Sequence, residues 1–142
     1  MTTSPHLAVN PAALAPPVGF SHAMVAGPGR SVHLGGQIAA GTDGAVVGSG
    51  FREQFGVALD NVVTTLAACG ARPDHVVSLI IFTTDMAGYR AGRKALGEAY
   101  RSRFGRHYPA VALVAVGELY EPEAVVEIVA TAVIPDSAGA AT

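Results

Sequence analysis

Cysteine occurs once in the 142 residues, charged side chains make up only 14%, and no uninterrupted apolar run is long enough to cross a bilayer. Each shortage excludes something. The single thiol, Cys69, leaves no internal disulfide framework and fits a reducing compartment, so a cytoplasmic protein is expected. A transmembrane helix needs about 20 consecutive apolar residues, which excludes an integral membrane protein. Scarce charge accompanies 50% hydrophobic residues and a mean hydropathy of +0.38, the reverse of a disordered chain. Against the roughly 25% charge of an ordinary soluble domain, this shortage predicts that some apolar surface lies against another subunit. Nine basic and eleven acidic residues give a net charge of −2 and a pI near 6.2, so no overall field attracts nucleic acid. The length suits one domain.

What is present reads as alternating elements. Residues 1–19, interrupted by Pro5, Pro11, Pro16 and Pro17, read as a flexible or extended arm. From Ser21 to Ile38, apolar alternation on either side of Gly27-Pro28-Gly29-Arg30 reads as a hairpin, and a short strand follows near Ala45 to Val47. The stripe Phe51, Phe55, Ala58, Leu59, Val62, Val63 and Leu66 has helical spacing, with Gly70 as its stop and Pro73 beyond. A β-branched run, His75 to Thr84, predicts a strand covered on both faces. A second helix is expected from Met86 to Phe104, then strands at Ala110 to Val116 and Ala124 to Ile134, and a frayed tail at 136–142. This order predicts an α/β (α+β) domain over 20–135, a mixed sheet with two helices on one face. The other face is left for subunit association.

Phosphate-loop, dinucleotide, zinc-protease and C-x-x-C motifs are all missing, and no histidine pairs with a Cys or carboxylate at ligand spacing. No metal is expected. Glu127 stands out as the sole charge in the eleven-residue run Ala124 to Ile134. A carboxylate buried there must be paired, hydrogen-bonded or protonated, and desolvation would lift its pKa into the range of a general acid or base. A structural ion pair or hydrogen bond explains the same residue, and both readings stay open. Arg93 shares the apolar stripe of the second helix; it either snorkels to water or reaches a pocket mouth to hold an anion. Six of the nine basic residues fall between Arg90 and Arg106, a pattern of a solvated helix face, with RNA binding the weaker reading. Ser21 and Cys69 are nucleophiles by type only: His22 points away from Ser21 in a strand, and Cys69 sits at a helix C-terminus that disfavours a thiolate.

Taken together, Phe20-Ser21-His22-Ala23, Gly35-Gly36-Gln37-Ile38, the Phe51 to Gly70 helix, Ile81 to Met86, Pro109-Ala110-Val111 and Val126-Glu127-Ile128 resemble the RidA (YjgF/YER057c/UK114) family. The resemblance implies a chorismate-mutase-like fold and a homotrimeric barrel with ligand clefts between subunits. It also implies hydrolysis of reactive enamines and imines to a carbonyl compound and ammonia, with no cofactor. Glu127 matches the family's late-strand glutamate, which positions or activates water, and Gly36 and Gln37 match its second-strand motif. Phe20, Ala110, Val111, Arg93 and Tyr120 are the further residues expected around the substrate. One departure is specific. The family's carboxylate-gripping arginine follows Pro-Ala, and here that position is Val111, which places the chain in an arginine-lacking branch. The expected activity is therefore that of a deaminase-type hydrolase acting on an imine, enamine or related carbonyl compound, and not on an α-imino acid. A non-catalytic metabolite-binding or interaction protein of the same fold is the alternative.

Overall fold

A computed structural model describes residues 3–136, so the tail read as frayed lies, apart from Asp136, outside the described residues. Nine elements follow one another: β1 (Leu7–Val9), β2 (Ala23–Val25), β3 (Gly29–His33), α1 (Phe51–Ala68), β4 (Val76–Thr83), α2 (Met86–Ala91), α3 (Arg93–Phe104), β5 (Ala110–Ala115) and β6 (Val126–Pro135). Among the described residues no helix is long and apolar enough to cross a membrane.

Strands β3, β6, β4 and β5 form one sheet in that order. The last strand in sequence lies inside it, antiparallel to both β3 and β4, while β5 runs parallel to β4 at the edge. The hairpin expected between Ser21 and Ile38 does not form. β2 pairs instead with β1, Val9 facing Ala23, and β3 pairs with β6, Ser31 facing Val133. Alternation identified these segments as strands but carries no information about distant partners. The stretch read as an arm thus supplies a strand, and His6 beside it is buried. Near Ala45 to Val47 the expected strand reduces to a single bridge, Ala40 with Val46.

Helix α1 buries the expected stripe, with Leu59, Val62 and Leu66 wholly inaccessible. Gly70, at φ 81°, takes the left-handed position that ends it. The second helix is broken into α2 and α3 at Gly92, whose φ of −106° and ψ of 15° leave the helical region. Asp85 caps α2 by accepting from the Gly88 N–H at 2.9 Å.

The strand β4 is covered on one face only. After a bulge at Val77, side chains alternate: Leu79, Ile81 and Thr83 are buried under the helices, while Ser78, Ile80 and Phe82 are half-buried. The partners follow the same rule. Ala130, Ile128 and Val126 of β6 lie with the buried set, and Thr131, Val129 and Glu127 with the half-open set. Continuous apolarity in β4 therefore marks a sheet with a helical layer on one side and a second apolar face uncovered by this chain.

Before β4, residues Pro73–His75 form a single 3-10 turn. His75 is 3% exposed, its Nδ1 accepts the Arg72 N–H at 3.1 Å, and its Nε2 finds no partner among the described residues. Desolvation first, and the Arg72 guanidinium second, hold its pKa below the ordinary histidine value, against an opposing pull from Asp74. On acidification below about pH 6.5 the unfolded chain therefore takes up a proton that the fold resists. Stability contributed at higher pH is lost as pH falls toward the lower folded value. Urea unfolding between about pH 7 and pH 5 should show this slope, and His75→Gln should flatten it.

Candidate functional site

Glu127 opens from the second position of β6, on the face that no helix covers. It is half-buried rather than enclosed, because the branched residues on its own side, Val129 and Thr131, share that open face. In register beside it stands Phe82 of β4. On its other side passes the backbone of Gly36. A Cβ built on Gly36 would fall on the Glu127 carboxylate, so the absence of a side chain at 36 is what lets the carboxylate lie against that backbone.

Gln37 fixes this approach through its main chain. Its N–H donates to the Ile128 carbonyl at 2.8 Å and its carbonyl accepts the Ile128 N–H at 2.9 Å. The Gln37 side chain folds back, Nε2 donating to the Gly35 carbonyl at 3.1 Å. Glu127, Gly36 and Gln37 thus form one cluster within a single chain.

Two buried polar side chains that the sequence reading did not single out hold the start of β6. Gln54, 2% exposed on α1, accepts the Val125 N–H at 2.9 Å and donates to the Glu123 carbonyl at 3.0 Å. Thr83, wholly buried, donates its hydroxyl to the Val125 carbonyl at 2.7 Å. Val125 therefore has both main-chain groups gripped by side chains, two residues before Glu127. A signal existed for Gln54, a polar residue three positions after Phe51 on the apolar stripe of α1.

The other expected residues fall elsewhere. Val111 and Arg93 line one cavity of about 430 Å³ between the α2–α3 layer and the sheet, on the helix side and not on the Glu127 side. Phe20 and Ala110 line a shallower hollow of about 320 Å³ along β5, with Ser21, His22 and Ile80. Tyr120 is 96% exposed in the loop before β6, in a depression shared with Thr84 and Glu118. Ser21 is structural: its N–H donates to the Pro109 carbonyl at 2.9 Å and its hydroxyl to the Tyr108 carbonyl at 2.6 Å, which extends the sheet past β5. His107 is held in the same manner, its Nε2 2.7 Å from the Val76 carbonyl. Among the described residues no group of three or more His, Cys, Asp or Glu side chains is placed to hold a metal ion.

None of the curated proteins matches this chain. Solved structures do. YyfB, a protein of the conserved Rid family from Yersinia pestis, is similar at 31% identity over 91% of this chain and 98% of its own, with a TM-score of 0.81. A member of the YjgF/YER057c/UK114 family from Mycobacterium tuberculosis is 30% identical over 82% of this chain and 88% of its own, TM-score 0.60. RidA from an Antarctic Psychrobacter species is 26% identical over 84% and 92%, TM-score 0.64. The profile of the family described as endoribonuclease L-PSP matches residues 10–134, beginning ahead of β2 and ending within β6. Family profile and relatives agree on one assignment: the chain belongs to the endoribonuclease L-PSP family, the RidA (YjgF/YER057c/UK114) proteins.

Proposed function

We propose that this protein hydrolyses the C=N bond of a small imine, or of an enamine through its imine tautomer, at the open sheet face around Glu127. The observation that carries the reading is the seating of the Glu127 carboxylate against the Gly36 backbone, on an apolar face beside Phe82. A carboxylate so placed can take a proton from water as the oxygen adds to the imine carbon. It then returns that proton to nitrogen, the C–N bond breaks, and a carbonyl compound and ammonia leave. Water supplies the oxygen, and the carboxylate ends as it began.

Ile80, Phe82 and Val129 on the same face favour a site closed by another copy of the chain, and a homotrimer is the assembly we infer. Val111 offers no hydrogen-bond donor from its side chain, so a substrate with a carboxylate next to the imine carbon has no anchor there. The basic cluster favours a small molecule over RNA. Arg103 is tied to Asp60 at 2.6 Å, and Arg93, Lys94 and Arg101 turn to a cavity, which leaves no continuous cationic stripe along α3. The test is ammonia release from a panel of imines and enamines with and without an α-carboxylate, run beside a single-stranded RNA. Turnover of non-carboxylate substrates is expected. A panel that remains unreacted, or cleavage of the RNA only, overturns the reading.

A further inference from the structure

On the helix side of the sheet, the cavity that holds Arg93 has a composition of its own. Leu79, Ile81, Val111 and Leu113 make its floor. Its walls are aromatic and held in place by further rings. Tyr89 meets Phe51 edge to face at 5.8 Å, and Tyr100 stacks between Phe104 at 4.8 Å and Tyr108 at 5.6 Å. The Tyr100 hydroxyl donates to the His107 carbonyl at 2.6 Å, and burial drives its pKa far above the usual phenol range, so it stays neutral. Tyr100 is wall, not acid.

Three cations, Arg93, Lys94 and Arg101, reach this cavity, and no carboxylate lines it. None of the three has an ion-pair partner among the described residues, whereas Arg72 and Arg103 on the same protein are each paired with an aspartate. Arg101 folds back along α3 because residue 97 is glycine: a Cβ there would come within 3.0 Å of its Nη1.

We propose that this cavity is a binding site for an aromatic carboxylic acid, its ring lying on the aliphatic floor between the tyrosines and its carboxylate gripped by Arg93, with Lys94 and Arg101 adding charge. A volume of about 430 Å³ suits a bicyclic ring with a short acid side chain. The planar guanidinium matches a carboxylate in two parallel hydrogen bonds, and the dry floor disfavours small, strongly hydrated anions. The strand position that lacks a cation, Val111, and the helix position that supplies one, Arg93, border the same space. The inference goes beyond the hydrolytic reading and does not depend on it, since Glu127 lies on the other face of the sheet within the chain.

The chain contains no tryptophan, so an indole probe can be followed by its own fluorescence. Indole-3-propionate and its neutral amide are titrated into the full-length protein. The acid is expected to bind at least tenfold more tightly, with the preference shrinking as salt rises. Arg93→Met, which keeps the apolar stem, should abolish the preference while leaving the weak amide binding unchanged. Arg101→Met should reduce it in part. Equal binding of acid and amide, an unaltered preference in Arg93→Met with an unchanged melting temperature, or no binding of the acid at millimolar concentration would each overturn the proposal.

Discussion

Glu127→Gln should lower kcat on the reactive imine by about a hundredfold or more, with the melting temperature unchanged. Glutamine keeps the size and the hydrogen-bonding reach of the side chain but cannot accept the proton of an attacking water. The more demanding variant is Gly36→Ala, which alters no titratable group. Its methyl would occupy the space of the Glu127 carboxylate. That carboxylate is the far end of a flexible side chain, so it swings aside instead of forcing the two backbones apart. Gly36 has no left-handed backbone angle, so alanine brings no strain of its own. The expected result is a loss of kcat similar to that of Glu127→Gln in a protein that unfolds at the wild-type temperature. If Gly36→Ala keeps full activity, the contact between residues 36 and 127 has no part in the reaction.

Gln54→Leu should lower the unfolding free energy by about 3 kcal/mol, measured from urea transitions. Leucine fits the apolar stripe of α1 and would be welcome there on propensity. It leaves the Val125 N–H and the Glu123 carbonyl without their partner in a site where Gln54 is 2% exposed, and each buried group left unsatisfied costs roughly 1–3 kcal/mol. Gln54→Glu separates the two halves of this interaction. Its carboxylate can still accept from Val125 but faces the Glu123 and Gly48 carbonyls as an acceptor, so it should destabilise most when ionised and recover on acidification. A neutral Gln54→Leu variant would mean that water reaches both groups.

How much of this was legible in advance depends on the range of the interaction. Helix α1 reads directly from its stripe, since Phe51, Phe55, Leu59 and Leu66 repeat locally. The break at Gly92 does not, because a glycine inside a helical pattern costs only about 1 kcal/mol and packing decides whether the helix continues. The partner of β3 lies some hundred residues downstream, and alternation in Val32 and Leu34 is satisfied by any neighbour on one side. Glu127 was visible as a lone charge in an apolar run. Its half-open setting was not, because only the sheet shows that Phe82, Val129 and Glu127 share an uncovered face. Arg93 was visible as a cation on a buried stripe, and the cavity it borders emerges only once α3 lies over Val111 and Leu113.

The place of β6 between β3 and β4 also bears on how the chain is born. During synthesis β3, α1 and β4 leave the ribosome well before the strand that joins them, and neither of those strands touches the other in the finished sheet. The nascent polypeptide therefore waits, with the apolar edges of β3 and β4 unmated, until residues 126–135 have emerged. Sheet completion is a post-translational event, and that interval is when chaperones have most to protect.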